Sequence, residues 1–153
     1  MNTSKRGFEV RALGEIAIRC NCFDQMAEFY ENIIGLKRLK GNHSEGIFFF
    51  RIADGIAGHT TVLALFNAEL GRDAGSSSTN LPTNAGHASS LHHIALSIPY
   101  SEQDAAISWY EKNNIEYQIE IFGWVGWRGV FVKDPDGNTV ELVAFNEGLL
   151  ANV

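Results

Sequence analysis

Three side chains in this sequence have the types and placement to hold a metal ion: Glu15, His93 and Glu141. Glu141 ends the run Asp134-Pro135-Asp136-Gly137-Asn138-Thr139-Val140-Glu141. Its DPDG stretch is a strong turn, because Pro135 pre-sets φ and Gly137 tolerates the positive φ that closes it. The strand that follows alternates, with Val140, Leu142 and Ala144 on one face and Thr139, Glu141 and Val143 on the other. A carboxylate within an apolar strand is unfavourable unless a cation meets it. Glu141 is therefore a salt-bridge partner or a metal ligand. Imidazole and carboxylate are borderline-to-hard donors that suit a divalent cation. Two carboxylates and one imidazole neutralise such an ion and leave positions for water or substrate.

The elements that must position these groups come in two similar sets. Residues 9–20 read as a strand, and Asn21-x-x-Asp24 as a capping box. Met26, Phe29, Tyr30, Ile33 and Ile34 follow at helical spacing, with Gly35 as the stop. Strands are expected at 36–40, 46–53 and 60–66. Residues 68–89 are rich in Gly, Ser, Asn and Thr and read as a flexible linker. A second strand is expected at 90–98, a second capping box at Ser101-x-x-Asp104, a helix at 102–113, and strands at 116–124, 126–133 and 138–144. Leu13-Gly14-Glu15-Ile16-Ala17 matches Leu91-His92-His93-Ile94-Ala95, and Phe29-Tyr30-Glu31 matches Trp109-Tyr110-Glu111. Gly58-His59-Thr60 matches Gly137-Asn138-Thr139. The separation is near-constant at about 79 residues, as a duplicated β-α-β-β-β module requires. The expected modules are 9–67 and 90–146, together one functional domain in an α+β fold whose mixed sheets curl around a cleft. Helices would cover the faces with Ile16, Ile18, Ile94, Leu96 and Ile98, leaving Glu15, His93 and Glu141 on the opposite faces. Glu15 and His93 are then repeat equivalents, and Val62 is the counterpart of Glu141.

Plainer roles compete for several of these residues. Glu15 can instead pair with Arg19, Arg51 or Arg128. His92 alternates to the helix-covered face and reads as a hydrogen-bonded packing residue, while His43, His59 and His87 fall in turns or the linker. Trp124, Trp127 and Arg128 are packing residues or the walls that hold a planar ligand, and Arg19 joins them as a substrate-binding candidate. Phe48-Phe49-Phe50 reads as a strand buried on both faces.

Composition narrows the class. The 153 residues carry a net charge of −6, which argues against nucleic acid or an anionic membrane as a main partner. No run reaches the length of a membrane span, and the N-terminal MNTSKRG lacks the apolar core of a signal peptide. Cys20 and Cys22 are too close for a mutual disulfide, which fits a reducing, cytoplasmic setting.

The runs Phe131–Val143 (FVKDPDGNTVELV), Leu91–Ile98 (LHHIALSI) and, more weakly, LGEIAIRC resemble the vicinal oxygen chelate superfamily. That superfamily includes glyoxalases, extradiol dioxygenases, fosfomycin-modifying transferases and bleomycin-binding resistance proteins. The resemblance covers about Leu13 to Phe145 and implies metal ligation by His93 and Glu141, with Glu15 at a position often held by His, Gln or Glu. Val62 departs from the four-ligand pattern of glyoxalases and epimerases. Arg128 and Phe131 stand near the places where the extradiol branch has His and Tyr. The three-ligand set is nearest the fosfomycin type, with Glu in place of its first-strand His. The implied function is a divalent-metal-dependent enzyme (Zn, Mn, Fe or Ni) of lyase, isomerase or dioxygenase type. It would act on a small oxygenated substrate, with Glu15 or Glu141 also moving a proton. The alternative is a metal-free protein of the bleomycin-resistance type that sequesters its ligand. A homodimer is expected, because each module leaves a sheet face that one helix cannot cover.

Overall fold

The computed structural model describes residues 11–55, 57–70 and 91–151. It divides into two compact units, one from each half of the chain. Each unit is a four-stranded mixed sheet with a helix inserted after its first strand.

In the first unit the order is β1 (Glu15–Cys20), α1 (Phe23–Glu28), β2 (Lys37–Asn42), β3 (Ile47–Asp54) and β4 (Thr60–Asn67). The sheet order is β1-β4-β3-β2, with β1 parallel to β4 and the other pairs antiparallel. β1 begins at Glu15: of the strand expected from residue 9, residues 9 and 10 lie outside the described residues and 11–14 are not in strand. α1 continues as a π-turn over Phe29–Ile33, closed by Ile34 N donating to Phe29 O at 3.0 Å. Gly35, at φ +86°, then lets Leu36 N reach back to Tyr30 O at 2.9 Å. The expected capping box does not form. The cap is Cys22 without a side-chain hydrogen bond, and Asp24 instead meets His43 Nδ1 at 2.5 Å. The helix is held by burial: Met26 and Tyr30 are fully enclosed, and Phe23 stacks on Phe48 at 5.2 Å. Each such side chain contributes about 1.5–3 kcal/mol. Phe48 and Phe50 are wholly buried, but Phe49, on the other face against Phe66, is only half-buried, so this strand is not enclosed on both sides.

The second unit runs β5 (His93–Ser97), α2 (Gln103–Lys112), β6 (Gln118–Phe122), β7 (Trp127–Lys133) and β8 (Thr139–Phe145), in the sheet order β5-β8-β7-β6. Here too the capping box is absent. α2 follows a short 3-10 turn at Tyr100–Glu102 and has Glu102 at its cap with no side-chain bond. Gln103 takes over the anchoring. Its buried amide donates to Arg128 O at 2.7 Å and to Leu142 O at 3.1 Å, tying the first turn of α2 to β7 and β8. Ile94, Val130, Val132, Val140 and Leu142 form the helix-covered core with Tyr110. Burial pushes the Tyr110 hydroxyl up to about 12.

The linker expected at 68–89 lies largely outside the described residues; its first three, Ala68–Leu70, form a 3-10 turn. Cys20 and Cys22 form no disulfide. Among the described residues, no helix is long and apolar enough to cross a membrane.

Candidate functional site

The site is built on the face of the second sheet that its helix does not cover. Strand pairing lays that face out in rows. Lys133, Thr139 and His93 form one row, Gln118, Phe131, Glu141 and Ala95 the next, and Glu120, Gly129, Val143 and Ser97 the third. His93 and Glu141 are thus diagonal neighbours on β5 and β8, and their side chains converge, with Nε2 3.4 Å from Oε2. His93 is partly exposed, whereas Glu141 is only 5% exposed.

The turn before β8 sets where Glu141 stands. Asp134 is buried and accepts from Asp136 N at 3.0 Å, Asn138 N at 2.9 Å and Asn138 Nδ2 at 2.8 Å. Gly137, at φ +83°, closes the turn with its N–H donated to Asp134 O at 2.9 Å. Gly129 then makes room for the Glu141 carboxylate. A Cβ at Gly129 would stand 2.4 Å from Glu141 Oε1 and 2.6 Å from Phe131 Cε2. Gly129→Ala is therefore expected to push the carboxylate away from His93 and to destabilise the unit by about 1–3 kcal/mol. Calorimetric metal titration beside thermal melts checks this, and an unchanged titration and melt would mean that the carboxylate does not need this hollow.

Burial holds the Glu141 carboxyl above the usual carboxylate range; His93 partly offsets this, and Glu120, across Gly129, adds to it. A cavity of about 1170 Å³ opens on this face, bounded by His93 and Glu141 and walled by Tyr117, Ile119, Phe122 and Phe131. Of its cations, Lys133 is engaged with Thr139 Oγ1 at 2.5 Å. Apolar walls with a few convergent polar groups describe a small-molecule site.

The pair passes a geometric test for a divalent ion. Ligand atoms about 2.0–2.2 Å from a metal, near the tetrahedral angle, stand roughly 3.4 Å apart. The observed 3.4 Å has that span and is longer than an ordinary N–H···O hydrogen bond. The pair is an incomplete ligand set: among the described residues, no three His, Cys, Asp or Glu side chains converge.

The other sequence candidates are not in these rows of the second sheet. Glu15 is exposed on β1 of the first unit, abreast of Val62, and among the described residues of that unit no ion pair joins it to Arg19 or Arg51. Arg51 instead meets Asp54 at 2.7 Å, and Arg128 meets Asp104 at 3.3 Å. Arg19 is exposed and abreast of Phe66. Trp124 is 78% exposed in the turn before β7 and Trp127 is 45% exposed, so neither is core; neither lines the cavity, nor does Arg128. Val62 keeps its place as the counterpart of Glu141, since Arg51 is abreast of Val62 as Phe131 is abreast of Glu141, but the first strand differs. In the first unit Glu15 is abreast of Val62, while in the second His93 is abreast of Thr139. The first strand is slid by two residues, which makes Ala64 the position diagonal to Glu15. Backbone pairing, here Val62 N to Gly14 O at 3.1 Å, sets this register, and local motif matching cannot detect it.

His92 is a second correction. It is exposed rather than packed beneath the helix, because β5 begins only at His93 and strand alternation does not bind the residue before it. Its Nδ1 lies 2.7 Å from His93 Nδ1. Sequence reasoning also passed over Glu120, Gly129 and Phe131 as parts of the site. A glycine within an alternating strand was the available signal for Gly129.

Comparisons place this arrangement among known folds. A glyoxalase/dioxygenase from Nostoc punctiforme is 23% identical with a TM-score of 0.62, the match covering 90% of this chain and 92% of that one. Lactoylglutathione lyase from Agrobacterium tumefaciens is 20% identical with a TM-score of 0.59, covering 87% and 92%. The fosfomycin resistance protein FosX from Listeria monocytogenes, solved as a mutant with Mn(II) and 1S,2S-dihydroxypropylphosphonic acid, is 19% identical with a TM-score of 0.58, covering 92% and 95%. No curated protein matches the sequence. Residues 12–142 match the family model, and the chain belongs to the Glyoxalase/Bleomycin resistance protein/Dioxygenase superfamily.

Proposed function

We propose that this protein is a divalent-metal-dependent enzyme acting on a small oxygenated substrate, with His93, Glu141 and Glu15 as the metal's ligands. The observation that carries the reading is the 3.4 Å approach of His93 Nε2 to Glu141 Oε2 at the edge of an apolar-walled cavity. An imidazole and one carboxylate leave a 2+ ion short of donors and of charge. Glu15, which the sequence repeat aligns with His93, is the proposed third ligand. A bound divalent ion supplies Lewis acidity towards adjacent substrate oxygens. The chain's own groups do the rest. Phe122 and Phe131 exclude water from one side of the substrate, and Glu15 or Glu141 accepts and returns a substrate proton. The proposed protein is cytoplasmic, as cysteines that form no disulfide suit, and a homodimer, which sedimentation equilibrium would test.

Titration of metal-free protein with Zn²⁺, Mn²⁺, Fe²⁺ and Ni²⁺ is expected to show one saturable site per chain for at least one of them. His93→Ala should abolish it, and Glu15→Gln should weaken it. No saturable site for any ion would overturn the metal reading. The alternative, a metal-free protein that sequesters a small ligand, reads the same 3.4 Å approach as a contact that needs no metal. Under that reading, the metal titrations stay flat.

A further inference from the structure

We propose that His92 is the positioning residue for His93, accepting the proton on His93 Nδ1 so that Nε2 presents its lone pair beside Glu141. The inference rests on the metal-site reading above and extends it to a residue outside the ligand set.

The Nδ1 atoms of the two rings are 2.7 Å apart, so one donates and the other accepts. The rings meet edge-on, with centroids 5.0 Å apart and planes at 74°. If His92 donates, His93 carries its proton on Nε2 and offers no lone pair towards the carboxylate. That arrangement predicts an ordinary hydrogen bond between Nε2 and Glu141, but the 3.4 Å separation lies beyond the usual range. If His93 donates, Nε2 and Oε2 are two acceptors facing each other, held 3.4 Å apart with space for a cation between them. Metal-binding histidines characteristically donate their second ring N–H to a fixed acceptor, which locks the tautomer and turns the ring towards the ion.

Among the described residues, the first unit has no such pair of rings on its first strand. Gly14 stands at the position equivalent to His92, and the His59 ring lies over it, with Cε1 3.2 Å from where a Cβ would be. An orienting imidazole therefore accompanies the one first-strand candidate that is itself a histidine. Because His92 precedes the ladder, its ring is free to turn onto its neighbour's edge rather than pack beneath α2.

The test uses the full chain. Long-range ¹⁵N–¹H spectra of metal-free protein at about pH 8, above the ordinary imidazole range, should show His93 protonated at Nδ1. Replacement by alanine (His92→Ala) should weaken Zn²⁺ binding by about 10- to 100-fold, the usual effect of removing such a partner. His92→Asn, whose side-chain oxygen can stand near the lost Nδ1, should recover most of the affinity. Thermal melts of both variants should match the parent, which separates positioning from a folding defect. Equal losses in the alanine and asparagine variants, or Nε2 protonation of His93 in the parent, would overturn the proposal. If the parent binds no metal, the metal reading fails by itself, and the tautomer still decides whether His92 sets the ring.

Discussion

Glu141→Gln is expected to abolish divalent-metal binding while making the protein more stable at neutral pH. The loss should exceed the roughly 100-fold ceiling typical of residues behind the ligands, because a neutral amide replaces a charged donor. The gain follows from burial. Glu141 is 5% exposed, and its carboxyl is held above the usual range chiefly by desolvation. The folded protein therefore keeps this proton to higher pH than the unfolded chain does. Across the window from the ordinary carboxylate value up to the raised one, the folded state binds more protons, so stability falls as pH rises. Glutamine does not ionise and removes that fall. The variant should match the parent in acid and exceed it at neutral pH. Denaturant melts across pH, alongside zinc titrations, read both effects. A variant that is less stable at neutral pH would show that the His93 contact outweighs desolvation and that Glu141 is mainly structural.

Asp134→Ala should give the largest loss of stability. Asp134 accepts three hydrogen bonds from the turn that leads into β8, two from backbone N–H groups and one from the Asn138 side chain. Bonds to a charged acceptor are worth more than neutral ones, and the donors left behind lie in a partly buried turn. The expected destabilisation is about 3 kcal/mol, less than the simple total because the three bonds share one anchor. That corresponds to a melting point lower by roughly 6–12 °C for a chain of this size. Asp134→Asn keeps an acceptor and should lose about half as much. Metal affinity in the alanine variant should drop as well, since the turn fixes the start of the strand that carries Glu141. A melting point within a degree or two of the parent would mean that Pro135 and Gly137 suffice to hold the turn.

The sequence by itself determined the duplicated β-α-β-β-β order and the pairing of His93 with Glu141. Both rest on local chemistry: alternation gives strands, DPDG gives a turn, and a charged residue within an apolar strand demands a partner. Helix starts were read less well. Asn21 and Ser101 had the right residue types for caps, yet packing of Phe23 and Met26, and the reach of Gln103 into the sheet, moved both caps by a residue. Only the tertiary structure decided what depends on register and on neighbours distant in sequence. The two-residue slide of β1 along β4 made Ala64, rather than Val62, the position diagonal to Glu15. Gly129 became the hollow for Glu141 because β7 happens to lie beside β8 at that pleat. His92 turned onto His93 because the ladder starts one residue later, and alternation governs only residues whose backbone is already paired.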